Sequence, residues 1–129
     1  LTNALTELLA ITRWGELDFL IVDMPPGLGD TTLDAIRLLK NPSFLVVTTP
    51  SRVAAETVKK LLVLLEELRL PILGILENMS RSSTSSTQLL PCTARLPFDE
   101  ELESALGAPE RFLQTEFARA LREIVRNTF

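Results

Sequence analysis

Asp23 ends an apolar run, Phe19-Leu20-Ile21-Val22, and opens a loop, Met24-Pro25-Pro26-Gly27-Leu28-Gly29-Asp30. A carboxylate so placed suits a magnesium ion held through water, because hard divalent cations take oxygen ligands and keep part of their hydration shell. Two prolines stiffen the entry to the loop, and its glycines admit backbone angles closed to other residues. A helix pattern follows at once, and a helix N-terminus favours phosphate. Two further stretches share this setting. Thr48-Thr49-Pro50-Ser51 places small hydroxyls after Phe44-Leu45-Val46-Val47, and Glu77-Asn78-Met79-Ser80 follows Pro71-Ile72-Leu73-Gly74-Ile75-Leu76. The Asn78 amide offers both a donor and an acceptor and can read a base edge. The plainer alternative is an Asx turn that closes the strand. Cys92 is the single cysteine, and the chain has no histidine. That removes Ser-His-Asp and Cys-His catalysis and every His-ligated metal site. Cys92 by itself reads as a small buried or loop residue rather than a nucleophile.

These residues need strands and helices to position them. The runs at 19–22, 43–49 and 71–77 are short, rich in β-branched residues and bounded by turn residues, which predicts strands buried on both faces. They start roughly 27 residues apart with a helix pattern between each pair. That is the βαβ spacing, so the prediction is a parallel sheet with right-handed crossovers. In such sheets ligands bind beyond the carboxyl ends of the strands, and the three stretches above would line one crevice there. Residues 1–14 predict a helix stopped near Gly15. Asp30 or Thr31 caps a helix to about Leu39, broken by Asn41-Pro42. Ser51 caps a longer helix to about Arg69, whose inward stripe is Ala54, Val58, Leu61, Leu65 and Leu68, widened by Leu62 and Leu64. Residues 95–99 predict a short fourth strand and turn. Asp99 or Glu100 then starts a helix to about Leu106, and residues 110–126 form one final helix. Residues 81–92 are rich in Ser and Thr and predict a flexible loop.

The 129 residues fit one domain or a large piece of one. A hydrophobic share of 46% supplies a core, and 23% charge is ordinary. The net charge of −4 and pI near 4.9 argue against nucleic-acid and anionic-membrane surfaces. No apolar run approaches the ~18 residues of a membrane span. A lone cysteine suits a reducing, cytoplasmic setting. The helix pattern is already under way at Leu1, which reads as a piece of something longer.

Taken in order, Asp23-Met-Pro-Pro-Gly-Leu-Gly-Asp30, Val47-Thr-Thr-Pro50 and Pro71-Ile-Leu-Gly-Ile-Leu-Glu-Asn-Met-Ser80 closely resemble the Mrp/ApbC (Nbp/Cfd-type) family of P-loop ATPases. These are iron–sulfur cluster carriers related to MinD, ParA and the nitrogenase iron protein. The resemblance is strong over residues 18–80 and continues into Arg95-Leu-Pro-Phe-Asp99. It implies a three-layer α/β fold with a mainly parallel sheet, of which this chain is the C-terminal part without the Walker A half. It assigns Asp23 to the Walker B role, holding Mg²⁺ through water. Met24–Asp30, with Gly27 and Asp30, would be the switch segment. Asn78 would hydrogen-bond adenine, and Pro97 and Asp99 would close over the base. ATP and Mg²⁺ are the implied cofactors, and a homodimer serving iron–sulfur apoproteins the implied assembly.

Two departures qualify the match. The lysines are Lys40, Lys59 and Lys60, and none follows a glycine, so the phosphate-cradling Gly-Lys-Thr/Ser loop is absent. The family's Cys-x-x-Cys is absent too. Cys92 is the one thiolate available to an iron–sulfur cluster, which takes about four. Two alternatives stand beside the carrier reading: a non-catalytic interaction half-domain, and a MinD/ParA-like positioning ATPase. The open side of so small a sheet predicts exposed apolar surface near residues 19–22 or 73–76.

Overall fold

A computed structural model describes residues 2–25, 29–81 and 90–128, the side chains at 2, 3, 5, 30, 31 and 128 excepted. The Gly27 position and the Ser/Thr-rich stretch therefore lie outside the described residues. The chain forms two compact units, residues 1–42 and 43–129.

The first unit contains α1 (Thr2–Ile11) and α2 (Asp30–Leu38), which pack on each other. α1 closes where the Thr12 hydroxyl turns back onto the Leu8 carbonyl, and Trp14 Nε1 donates to the Leu9 carbonyl at 3.1 Å. Gly15, at φ +65°, then turns the chain in a conformation that glycine adopts without strain. The residue capping α2 is Gly29 rather than Asp30 or Thr31. Its extended backbone lets its carbonyl receive the Thr32 N–H at 3.0 Å, and no side chain caps the helix.

The run 19–22 is not a strand, contrary to its composition. Phe19, Leu20, Ile21 and Val22 are all exposed, Ile21 to 92%. Apolar, β-branched residues create a demand for burial, but a strand exists only when a neighbouring backbone receives its hydrogen bonds. The described sheet has three strands, and this run joins none of them. The exposed apolar surface expected here is present.

The second unit carries the sheet: β1 (Phe44–Thr48), β2 (Ile72–Ser80) and β3 (Ala94–Pro97), in that order and parallel throughout. α3 (Arg52–Glu67) crosses between β1 and β2. Its inward stripe is Ala55, Val58 and Leu65, supported by Leu61 and Leu62, and packs on Val46, Ile75 and Leu90. Ala54 is only half-buried, and Leu68 lies exposed just past the end of α3, so neither belongs to that stripe. Ser51 precedes α3 but makes no side-chain cap. Of the run expected at 73–76, Leu73 is exposed while Ile75 and Leu76 of this middle strand are buried, and β1 exposes Leu45 and Val47 as well.

The C-terminal segment folds as three helices, α4 (Leu102–Ala105), α5 (Pro109–Phe112) and α6 (Glu116–Thr128). The single helix expected over 110–126 is therefore broken. The cause is local: the Thr115 hydroxyl accepts the Ala118 N–H at 3.1 Å and donates to the Phe112 carbonyl at 2.7 Å. That side chain ends one helix and starts the next, a competition with the backbone ladder that threonine is suited to win. α6 then lies along β3.

Candidate functional site

Because β1, β2 and β3 are parallel, their carboxyl ends share one rim of the second unit. Across that rim Thr48 of β1 is level with Glu77 of β2, and Glu77 with Arg95 of β3. Thr48 and Glu77 are both buried, Glu77 to 4% exposure. A carboxylate this deep needs compensation. Arg95 Nε lies 3.2 Å from Glu77 Oε1, and the Ser80 hydroxyl donates to the same oxygen at 3.2 Å. The Arg95 Nε–H is not aligned for a hydrogen bond, so this contact is chiefly charge against charge.

Beyond Glu77 the strand departs from regular register, and the pairing resumes at Ser80 opposite Pro97. Met79 has φ +61°, the left-handed region that a side chain occupies only under local constraint. The constraint is visible: Asn78 Oδ1 accepts the Met79 N–H at 2.8 Å. A backbone N–H can only donate, so this fixes the amide with its oxygen inward along the chain. The bond is to the next residue rather than two residues on, so it is not the Asx turn weighed from the sequence.

The β3 end closes the rim. Phe98 N–H donates to the Ser80 carbonyl at 2.9 Å, which fastens the Pro97–Asp99 turn to the end of β2. Asp99 reaches the other way. Its carboxylate accepts the Phe117 N–H at 3.0 Å and the Glu101 N–H at 2.9 Å. The bond from Phe117, at the start of α6, is the main cause holding this carboxyl below the usual range, with Glu101, Glu116 and Leu102 adding to it against partial desolvation. Asp99 therefore anchors α6 and supports the turn, while Phe98 and Pro97 face the rim's other members. The Arg81 guanidinium, one residue past β2, lies over the Phe98 ring at 4.3 Å from its centroid.

Cys92 is half-buried on the approach to β3. Burial pushes its thiol up, and the Glu77 charge pushes the same way against the opposing effect of Arg95. The site thus favours the neutral thiol over the thiolate that binds metal. Among the described residues no three His, Cys, Asp or Glu side chains gather to hold a metal ion.

Of the residues singled out from sequence, the fold brings Asn78, Pro97 and Asp99 to one rim, with Cys92 near Glu77. Asp23 does not end a strand of the sheet; it is exposed in the first unit, on a segment without regular structure. Asp30 is the first residue of α2. Sequence reasoning placed Glu77 and Phe98 only as members of the 77–80 stretch and the 97–99 turn, and gave no role to Arg95 or Arg81. The usable signal was a carboxylate and a guanidinium at matching depths of two successive parallel strands.

A parallel sheet whose carboxyl-end rim presents a constrained asparagine beside a Pro-Phe-Asp turn is of the nucleotide-handling α/β class, here a partial P-loop NTPase fold. The chain belongs to the ParA family described as NUBPL iron-transfer P-loop NTPases, which it matches over residues 1–90, and its relatives place it with the Mrp/ApbC carriers. It is 45% identical over 80 residues to an iron-sulfur cluster carrier protein of Aquifex aeolicus, a stretch covering 62% of this chain and 22% of that protein. It is 36% identical over 111 residues to one of Rickettsia felis, covering 81% of this chain and 35% of the relative. A third, of Escherichia coli strain K12, is 43% identical over 79 residues, covering 61% and 21%. The match thus spans between about a fifth and a third of the length of these curated relatives.

The resemblance assigns Asn78 and the Pro97–Asp99 turn to the base end of a nucleotide. No Gly-Lys-Thr/Ser loop exists in the 129 residues to hold phosphates, so no hydrolytic step is derived from this chain.

Proposed function

We propose that this chain supplies the base-reading side and the switch aspartates of an Mrp-like, ATP-binding protein that assists iron–sulfur cluster assembly and transfer. The observation that carries this is the Asn78–Met79 kink. A strained left-handed residue is held by the amide that the resemblance assigns to adenine, next to the Pro97–Asp99 turn assigned to the same base. In this reading Asp23 serves the Mg²⁺ of bound ATP, and Gly27 and Asp30 belong to the segment that senses its γ-phosphate. ATP and Mg²⁺ come together in the complete phosphate site, which needs a lysine loop from outside these 129 residues. The protein acts in the cytoplasm as a homodimer, hands clusters to apoproteins, and does not engage nucleic acid or membrane. No described helix is long and apolar enough to cross a membrane. Cys92 offers one thiolate per protomer, two in a dimer, so the cluster is cargo for which further ligands are required.

A second reading, a non-catalytic half-domain that pairs with another polypeptide, rests on the serines and threonines that stand where the family's cysteine pair would follow Met79-Ser80. The intact mass and N-terminal sequence of the native protein, followed by ATP titration, separate the two. Upstream residues with a Gly-Lys-Thr/Ser loop, and ATP binding weakened by Asn78→Ala and Asp23→Ala, support the ATP-binding reading. A native chain without such a loop that does not bind ATP overturns it in favour of the half-domain.

A further inference from the structure

Phe98 is a large aromatic ring left 38% exposed at the rim, while its own backbone is tied to Ser80. Its backbone is therefore anchored, and part of its ring is left accessible. The group that covers it is Arg81, whose guanidinium lies over the ring at stacking distance. Planar guanidinium groups and nucleobases use aromatic faces in the same way. A cation–π contact at an exposed site is worth only a few-fold in equilibrium terms. Base–aromatic stacking is worth roughly fivefold to a hundredfold per base. The two cannot share one face, and the base is the stronger occupant. Asn78 stands two residues before Ser80, on the strand that holds Phe98, so a base read by Asn78 has a π surface within the same rim.

We propose that Phe98 is the stacking face for the nucleotide base and that Arg81 competes with the base for it. This rests on the base-side reading of Asn78 and Pro97 given above and adds two residues to it. Arg81 is then a positioning residue whose removal helps binding, the reverse of what a phosphate-binding arginine would show. The pair also ties base occupancy to the root of the Ser/Thr-rich stretch, since Arg81 must leave the ring for the base to enter.

The test is a titration of the intact, ¹⁵N-labelled chain with adenosine 5′-monophosphate, followed by NMR and repeated on variants. The expected result is that AMP moves the Asn78 side-chain amide together with the Phe98 ring and Arg81 Nε–H signals. Phe98→Leu, which keeps bulk without a π face, should weaken binding threefold or more. Phe98→Trp should not weaken it, and Arg81→Ala should tighten it at least twofold. If AMP still moves the Asn78 amide but Phe98→Leu changes affinity by less than threefold, the stacking inference falls and the base-side reading stands. If Arg81→Ala leaves affinity unchanged or lowers it, the competition is refuted. If the Asn78 amide does not respond to AMP, the base-side reading falls and takes this inference with it. A circular-dichroism spectrum matching the parent chain for Phe98→Leu keeps misfolding from imitating lost affinity.

Discussion

Replacing Arg95 with methionine would keep most of the side-chain stem and remove the charge that faces a buried carboxylate. Glu77 would then keep the Ser80 hydroxyl but lose its cationic neighbour. With the charges 3.2 Å apart, Coulomb's law gives about 5 kcal/mol at an effective dielectric of ~20 and about 1.3 kcal/mol in water. Arg95 is one-third exposed, and its Nε–H is misaligned for a hydrogen bond, so the coupling should lie toward the lower figure, about 2 kcal/mol. Arg95→Met alone should therefore destabilise by about 2–3 kcal/mol, because it strands the buried partner. Glu77→Leu should cost less, about 1 kcal/mol, since Arg95 can swing into water. The double variant should lie about 1–2 kcal/mol below the parent, less than the two single costs combined, because apolar replacement of both partners leaves no buried charge. Urea unfolding at pH 7 of the four chains, followed by far-ultraviolet circular dichroism, gives the cycle directly. A coupling below about 0.5 kcal/mol, or a Glu77→Leu cost exceeding that of Arg95→Met, would falsify the claim that the rim is organised around a compensated carboxylate.

Leu65 has no exposed surface and sits where α3 meets the sheet, so Leu65→Ala should cost about 3 kcal/mol or more and lower the urea midpoint without changing the slope. Asp99 has a depressed carboxyl pKa in the folded chain, so its stabilising effect is present above the unfolded value near ~3.9 and is lost as pH falls through the folded value. Asp99→Asn should accordingly be less stable at pH 7 and flatter in its acid limb; parallel acid-unfolding curves for the two chains would contradict this. Cys92 is shifted the other way, so its contribution is complete below the ordinary thiol pKa and fades as pH rises through the higher folded value. Iodoacetamide labelling should reach half-maximal rate above the pH expected of a free thiol, and Glu77→Gln should move that pH down. An unshifted profile in the variant would remove Glu77 from the explanation.

The sequence by itself determined the family, the strands expected at 43–49 and 71–77 and their parallel pairing, and a short strand within 95–99. These follow from local quantities: apolar runs of strand length, βαβ spacing, and motifs whose order is written in the chain. The resemblance implied that Asn78 and the Pro97–Asp99 turn serve one base, but that the short strand before Pro97 runs parallel to β2 was decided by the tertiary structure. Tertiary structure alone decided the rest. Whether Phe19–Val22 pairs depends on a neighbouring backbone, which no residue in the run can supply. Whether residues 110–126 form one helix or two depends on Thr115 having the Phe112 carbonyl and the Ala118 amide within reach at once. The pairing of Glu77 with Arg95, and the seat of Arg81 on Phe98, join residues 18 and 17 positions apart. Periodicity says nothing at that range; only strand register sets which side chains meet.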